Sequence, residues 1–241
     1  MDVKSSENIL AIDTATTIFS VALGTTEGSW YFEADAGTRH SQLLMEIIDT
    51  LFNKAGLKPA DLSSIVCMKG PGSFTGLRIG YSCAKGLALG LNIPFFAVPS
   101  LDCMIYPYSA YPGLVIPVID AKKNSFFCSL YLAGSRLTDD MDADTETIIH
   151  AINKAFYEQM PENKQEQVLL VGPDADKFHQ KLSENGFLGK KPEFFLNPGH
   201  RKGSAKELLA IAKNGNISDN IVTDINSGPE YLRKSDAELN S

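Results

Sequence analysis

The sequence of 241 residues predicts an α/β protein in two related halves, and three observations lead to that expectation. Short apolar, β-branched runs come in a group of three ahead of an amphipathic helix. A glycine-rich loop then joins a strand to a second helix. From about Pro112 a smaller version of the same succession begins.

NILAIDT (8–14) and FSVALG (19–24) are broken by a Thr-rich turn, and SWYFEADA (29–36) alternates behind Glu27-Gly28, so a three-stranded meander is expected. Between His40 and Ala55 the apolar positions Leu43, Leu44, Ile47, Ile48, Leu51 and Phe52 form a broad helical stripe ended by Gly56. Ser41 is the expected N-cap of that helix. SSIVCMK (63–69) reads as a strand, 75–91 as a glycine-bearing helix, PFFAV (94–98) as a strand, and a short helix follows from about Ser100. In the second half LVIPVID (114–120) and SFFCSLYL (125–132) form a hairpin, DDMDAD (139–144) is a solvated acidic loop, and 145–159, 167–172, 174–185 and 204–215 are helix, strand, helix and helix.

Composition narrows the function classes. The 22 basic against 29 acidic side chains give 22 − 29 = −7, a poor balance for a chain that binds nucleic acid by itself, because phosphate contacts need clustered Lys and Arg. No stretch approaches the roughly 18 apolar residues of a membrane span. MDVKSSEN at the start carries no secretory or transit pattern, so a cytoplasmic location is expected. Cys67, Cys83, Cys103 and Cys128 are widely spaced in apolar surroundings and read as buried thiols. His40, His150, His179 and His200 include no pair at the i, i+4 spacing of a helical metal site, so no metal is assigned.

The stretch GPGSFTGLRIGYSCAKGLALG (70–90) poses the sharpest question, because each interior helix glycine costs about 1 kcal/mol relative to alanine. The loop is not a Walker A motif, since Gly76 is followed by Leu77-Arg78, and the third glycine of a dinucleotide fingerprint falls one residue late. A structural loop is the first reading. Asp13 and Thr14 at the end of the first strand, with Gly70, Gly72, Ser73 and Arg78, form the candidate set for an anion or nucleotide. Within the helix, Gly76, Gly80, Ala84 and Ala88 make one row of small residues, and Ser82, Gly86 and Gly90 a second. Such rows let a backbone approach closely, and two rows imply two close contacts, one internal and one offered to a partner helix.

ILAIDTATTIFSVAL, RHSQLLMEII, GPGSFTGLRIGYSCAKGLA, IPFFAVPSLD, VIDAKKNSFFCSLY and PEYLR together resemble the TsaB (YeaZ) family, bacterial subunits of tRNA threonylcarbamoyladenosine biosynthesis. The match is specific from about Ile9 through Tyr131 and holds in outline over about 133–225. The resemblance implies an actin-like, Hsp70-like ATPase (ASKHA) fold of two βββαβα lobes: 1–108 with a return segment 204–241, and 109–203. It implies a non-catalytic scaffold that pairs with and activates a TsaD-like transferase, is joined by a TsaE-like ATPase, and reaches tRNA through that complex, which modifies adenosine 37 of tRNAs reading ANN codons. In isolation a homodimer is implied. The chain itself then requires no cofactor, with ATP and magnesium assigned to the complex. The implied interface is the first two helices, through Leu44, Ile47, Ile48, Leu51, Gly76, Gly80, Ala84 and Ala88. The rival is an autonomous nucleotide-hydrolysing enzyme of the same superfold, using Asp13 and the glycine loop.

Overall fold

The computed structural model describes residues 8–159, 167–184, 192–197, 199, 201–214 and 223–233. The chain runs through β1 (Ile9–Asp13), β2 (Ile18–Gly24), β3 (Ser29–Asp35), α1 (His40–Ala55), β4 (Ser64–Gly70), α2 (Phe74–Leu91), β5 (Phe95–Pro99) and α3 (Ser100–Ile105). It continues with β6 (Leu114–Lys122), β7 (Ser125–Cys128), β8 (Tyr131–Leu132), β9 (Ser135–Arg136), β10 (Met141–Asp144), α4 (Thr145–Gln159), β11 (Gln167–Val171), α5 (Ala175–Glu184), β12 (Glu193–Leu196) and α6 (Ala205–Asn214). Two units result. The first holds the described residues up to Cys103 together with those of Gly203–Tyr231, and the second those of Met104–Lys202 with Leu232 and Arg233. The division falls inside α3, and Leu232 and Arg233 group with the second unit.

The first unit is built on a sheet of order β3-β2-β1-β4-β5. Short turns allow β1, β2 and β3 to pair antiparallel, whereas β4 and β5 join in parallel because α1 and α2 carry the chain across before each of them. β1 is buried on both faces, so its alternation serves two layers: Leu10 and Ile12 enter the core beneath α1 and α2, and Asp13 meets the start of α6. Leu44, Ile48, Leu51 and Phe52 of α1 are buried in the same core. Gly56 ends α1 in the left-handed conformation. Ser41 is not the cap: the N-cap is Arg39, with no side-chain hydrogen bond, and His40 is already helical and buried. Its Nε2 donates to the Thr16 carbonyl at 2.9 Å, and that contact fixes where the helix begins.

In the second unit the sheet order is β10-β7-β6-β11-β12, with the β8-β9 hairpin on β6. SFFCSLYL is two strands, because Ser129 and Leu130 leave the ladder while the Ser129 hydroxyl bonds the Thr138 carbonyl at 2.7 Å. The acidic stretch is no loop: Met141–Asp144 pairs with β7, and Asp142 takes Arg233 at 2.6 and 2.7 Å. Arg233 also donates to the Ala121 carbonyl and to Ser125. Charged residues at an edge strand are tolerated when they are paired or solvated.

Candidate functional site: the glycine loop and helix α2

Ser73 caps α2 by accepting from the Gly76 N–H at 3.2 Å, and its own N–H donates to the Ala15 carbonyl at 2.7 Å. Thr14 sits under the first turns of the helix and donates from Oγ1 to the Gly76 carbonyl at 2.7 Å. A Cβ at Gly76 would collide with the Thr14 carbonyl oxygen, one at Gly80 with the Thr14 hydroxyl, and one at Gly72 would lie 2.5 Å from the Ala15 carbonyl oxygen. Gly70, at φ +121°, faces the Glu230 carbonyl. The glycines of this loop therefore admit the chain's own Thr14, Ala15 and Glu230 backbone.

This placement corrects the reading of the small rows. Gly76, Gly80, Ala84 and Ala88 are buried, with Gly76 and Gly80 against Thr14 and the β1 end, so the row is the internal contact and is not the seat of a partner. Leu44, Ile48 and Leu51 are likewise buried in the unit's own core, and Ile47 is half-buried against it. The second row lies outside: Ser82, Gly86 and Gly90 are exposed, and a Cβ at Gly86 or Gly90 meets nothing within 4 Å. Beside it stand the first unit's exposed large apolar side chains, Met45 and Leu89, 48% and 64% exposed.

Asp13 is buried, and both its oxygens are occupied, by the Ala15 N–H at 3.0 Å and the Ser204 N–H at 2.7 Å. The two N–H groups flanking Ser204 are held similarly, Gly203 by Glu33 at 2.6 Å and Ala205 by the Ser20 hydroxyl at 3.1 Å. Three adjacent strands thus grip the start of α6. Burial pushes the Asp13 carboxyl up to about 6, with Glu207 and Glu33 adding to the rise against the two backbone donors. Burial raises the Tyr31 phenol as well, strengthened by its hydrogen bond to Glu33.

Cys67, Cys103 and Cys128 are buried free thiols and Cys83 is half-buried. Burial pushes Cys83 up to about 11 and Cys128 up to about 12, so neither is poised as a nucleophile. No group of three metal-ligating side chains occurs among the described residues, and His200 lies outside them. Burial pulls His40 down, which keeps the imidazole neutral in its bond to Thr16. In the second unit Lys177 bridges Asp120 and Asp174 at 3.0 and 3.1 Å. Burial alone would raise Asp120, but Lys122 and Lys177 outweigh it and hold the carboxyl at about 2.

Arg78 is exposed, 3.9 Å from the centre of the Phe74 ring, and donates from Nε to the Tyr231 hydroxyl at 3.0 Å. Of the candidate anion set, then, Asp13, Thr14 and Ser73 direct polar groups to the chain itself, Gly70 and Gly72 are packed by it, and Arg78 stands apart on the surface.

Two units, each a mixed sheet whose opening strands pair antiparallel before helices add parallel ones, define an α/β protein of the actin-like class. A family model described as "TsaD: tRNA N6-adenosine threonylcarbamoyltransferase" matches residues 34–241. The chain is 30% identical over 239 residues to the tRNA threonylcarbamoyladenosine biosynthesis protein TsaB of Bacillus subtilis (strain 168), covering 95% of this chain and 96% of that one. To the protein of the same name from Escherichia coli (strain K12) it is 30% identical over 230 residues, covering 93% and 94%. In fold it is similar to YeaZ from Pseudomonas aeruginosa, with a TM-score of 0.69 at 22% identity over 94% of this chain and 100% of that one. A second Pseudomonas aeruginosa crystal structure, of an uncharacterized protein with similarity to peptidase YeaZ, gives 0.71 at the same identity and coverage. The chain belongs to the TsaB (YeaZ) family. No helix among the described residues is long and apolar enough to cross a membrane.

Proposed function

We propose that this protein is a non-catalytic scaffold in the synthesis of N6-threonylcarbamoyladenosine, pairing with and activating a TsaD-type transferase that acts at position 37 of tRNAs reading ANN codons. Membership of the TsaB family supports the coarse part, a place in threonylcarbamoyladenosine synthesis. The observation that carries the finer part is the outer face of α2, where Ser82, Gly86 and Gly90 leave room for another helix beside exposed Met45 and Leu89. Such a face suits a close backbone approach, with apolar area contributing about 25 cal/mol per Å². Asp13, whose two oxygens already hold backbone N–H groups, is a structural carboxylate in this reading. A TsaE-type ATPase joins the pair, tRNA is reached through the complex, ATP and magnesium belong to the assembly, and a second copy takes the same face when the transferase is absent.

The test is to assay the purified chain with ATP and magnesium, and then to mix it with the transferase of the same organism. The expected result is no turnover alone, a stable pair with the transferase, and modification of tRNA once the TsaE-type ATPase and an activated threonylcarbamoyl donor are added. Turnover by the isolated chain, lost in Asp13→Asn, would instead support the autonomous nucleotide-hydrolysing enzyme.

A further inference from the structure

Phe74, Arg78, Tyr81 and Lys85 stand four, three and four residues apart, which places them on one face of α2. The segment Ser227–Tyr231 lies along that face. The hydroxyls of Tyr81 and Ser227 share a hydrogen bond at 2.8 Å, Lys85 donates to the Ser227 carbonyl at 2.8 Å, and the Glu230 N–H donates to the Lys69 carbonyl at 2.7 Å. Lys69 and Glu230 also form an ion pair at 2.6 Å. Tyr231 stacks on Phe74 with ring centres 4.6 Å apart, tilted by 35°.

Arg78 is clasped by this pair. Its guanidinium lies 3.9 Å from the Phe74 ring centre and 5.7 Å from that of Tyr231, while Nε is spent on the Tyr231 hydroxyl. Its terminal nitrogens have no hydrogen-bond partner among the described residues, although the group is held on two sides. An arginine fixed in this way loses little freedom when it forms a two-pronged bond, and arginine beside apolar surface is a frequent centre of binding energy. Leu89 and the open row of Ser82 and Gly86 supply that surface on the same helix.

We propose that Arg78 is the specificity-determining cation of the partner-facing surface: it receives a carboxylate of the partner protein through its two terminal nitrogens, and Tyr231 is the positioning residue that aims it. The inference rests on the reading that the outer face of α2 meets a TsaD-type transferase. A carboxylate is favoured over an RNA phosphate because few uncompensated cations adjoin Arg78: Lys69 is paired with Glu230, and Lys85, which keeps its charge, is directed to the Ser227 carbonyl. An arginine with one nearby lysine suits a carboxylate, whereas a nucleic-acid backbone requires a larger cluster of cations.

The experiment uses the full chain and the transferase of the same organism, with dissociation constants measured at several salt concentrations and melting temperature as the folding control. Arg78→Ala is expected to weaken pairing at least about tenfold and to flatten its salt dependence. Arg78→Lys recovers little, since a point charge lacks the planar fork. Tyr231→Phe, which keeps the stack and loses the hydroxyl, falls between wild type and Tyr231→Ala. The double variant Arg78→Ala/Tyr231→Ala pairs no worse than Arg78→Ala alone, because Tyr231 acts through the arginine. Pairing by Arg78→Ala within twofold of wild type overturns the proposal. So does unchanged protein pairing with weakened binding of unmodified tRNA, which would assign Arg78 to a phosphate. If the wild-type chain fails to pair with the transferase at all, the proposed function falls and this inference with it.

Discussion

Gly76, Gly80, Ala84 and Ala88 on one side of α2, and Ser82, Gly86 and Gly90 on another, share the same four-residue spacing and the same small side chains. The first row is buried, its glycines pressed on Thr14, while the second is exposed with nothing near its glycines. Small residues are therefore present for two reasons in one helix. Inside, they admit a turn whose backbone cannot retreat, because the Thr14 hydroxyl is bonded to the Gly76 carbonyl of α2 and the Ala15 N–H to Asp13 at the end of β1. Outside, they keep a surface low, and helix propensity is given up with no internal contact in return.

That contrast is most exposed to challenge at Gly76. Gly76→Ala is expected to destabilise the first unit by about 3 kcal/mol or more, since the added carbon meets a backbone carbonyl that has no rotamer to escape into. A melting temperature equal to wild type would mean that the inner row is not packed as described. Asp13, beneath the same turn, gives an effect of similar order that depends on pH. Its folded-state carboxyl is raised to about 6 from an ordinary 3.8, so burial penalises the ionised form. Its contribution is most favourable below about pH 4, declines as pH rises through 4 to 6, and is level above, with a total of roughly 3 kcal/mol. In Asp13→Asn the pH 5 to pH 7 change in stability should shrink relative to wild type; an identical change in both would remove Asp13 as its source.

On the outer row the expected signs reverse. Gly86→Leu should leave the fold intact, with a gain of up to about 0.8 kcal/mol from helix propensity, and should abolish pairing with the transferase. Pairing at wild-type strength in a folded Gly86→Leu protein would free this row from any interface role. The smallest effect belongs to Gly90→Ala, a stabilisation of under about 1 kcal/mol, visible as a melting shift of a few degrees.

Much of this architecture was legible in local pattern. The α1 stripe from His40 to Ala55 and the helix from 145 to 159 carry apolar periodicity strong enough to set their limits. Elements whose reason lies far along the chain were not legible. Met141–Asp144 has an acidic sequence with little strand character and becomes β10 by pairing with β7, helped by Arg233 91 residues away. β12 is a short run, Glu193–Leu196, that joins the edge of the sheet through parallel pairing with β11. At the site, Asp13 and the glycine loop were found, but which row of α2 faces inward depends on Thr14, and spacing is equal for both. Ser204 and Tyr231 gave no local signal, because their partners Asp13 and Arg78 lie 191 and 153 positions away.

The bond between Asp13 and Ser204 also bears on how the protein is made. Synthesis proceeds from the N-terminus, and domains commonly fold in that order as they emerge. Here β1 and β2 are translated well before the helix that covers one face of them, since α6 begins only at Ala205. The second unit's main span, Met104–Lys202, is translated in full before that helix exists. The sheet of the first unit must therefore wait, with one apolar face uncovered, while the second unit lacks only Leu232 and Arg233 among its described residues. The sheet of the first unit is thus covered only after most of the second unit has been made, and a nascent-chain chaperone would find its binding surface on β1 and β2 during that interval.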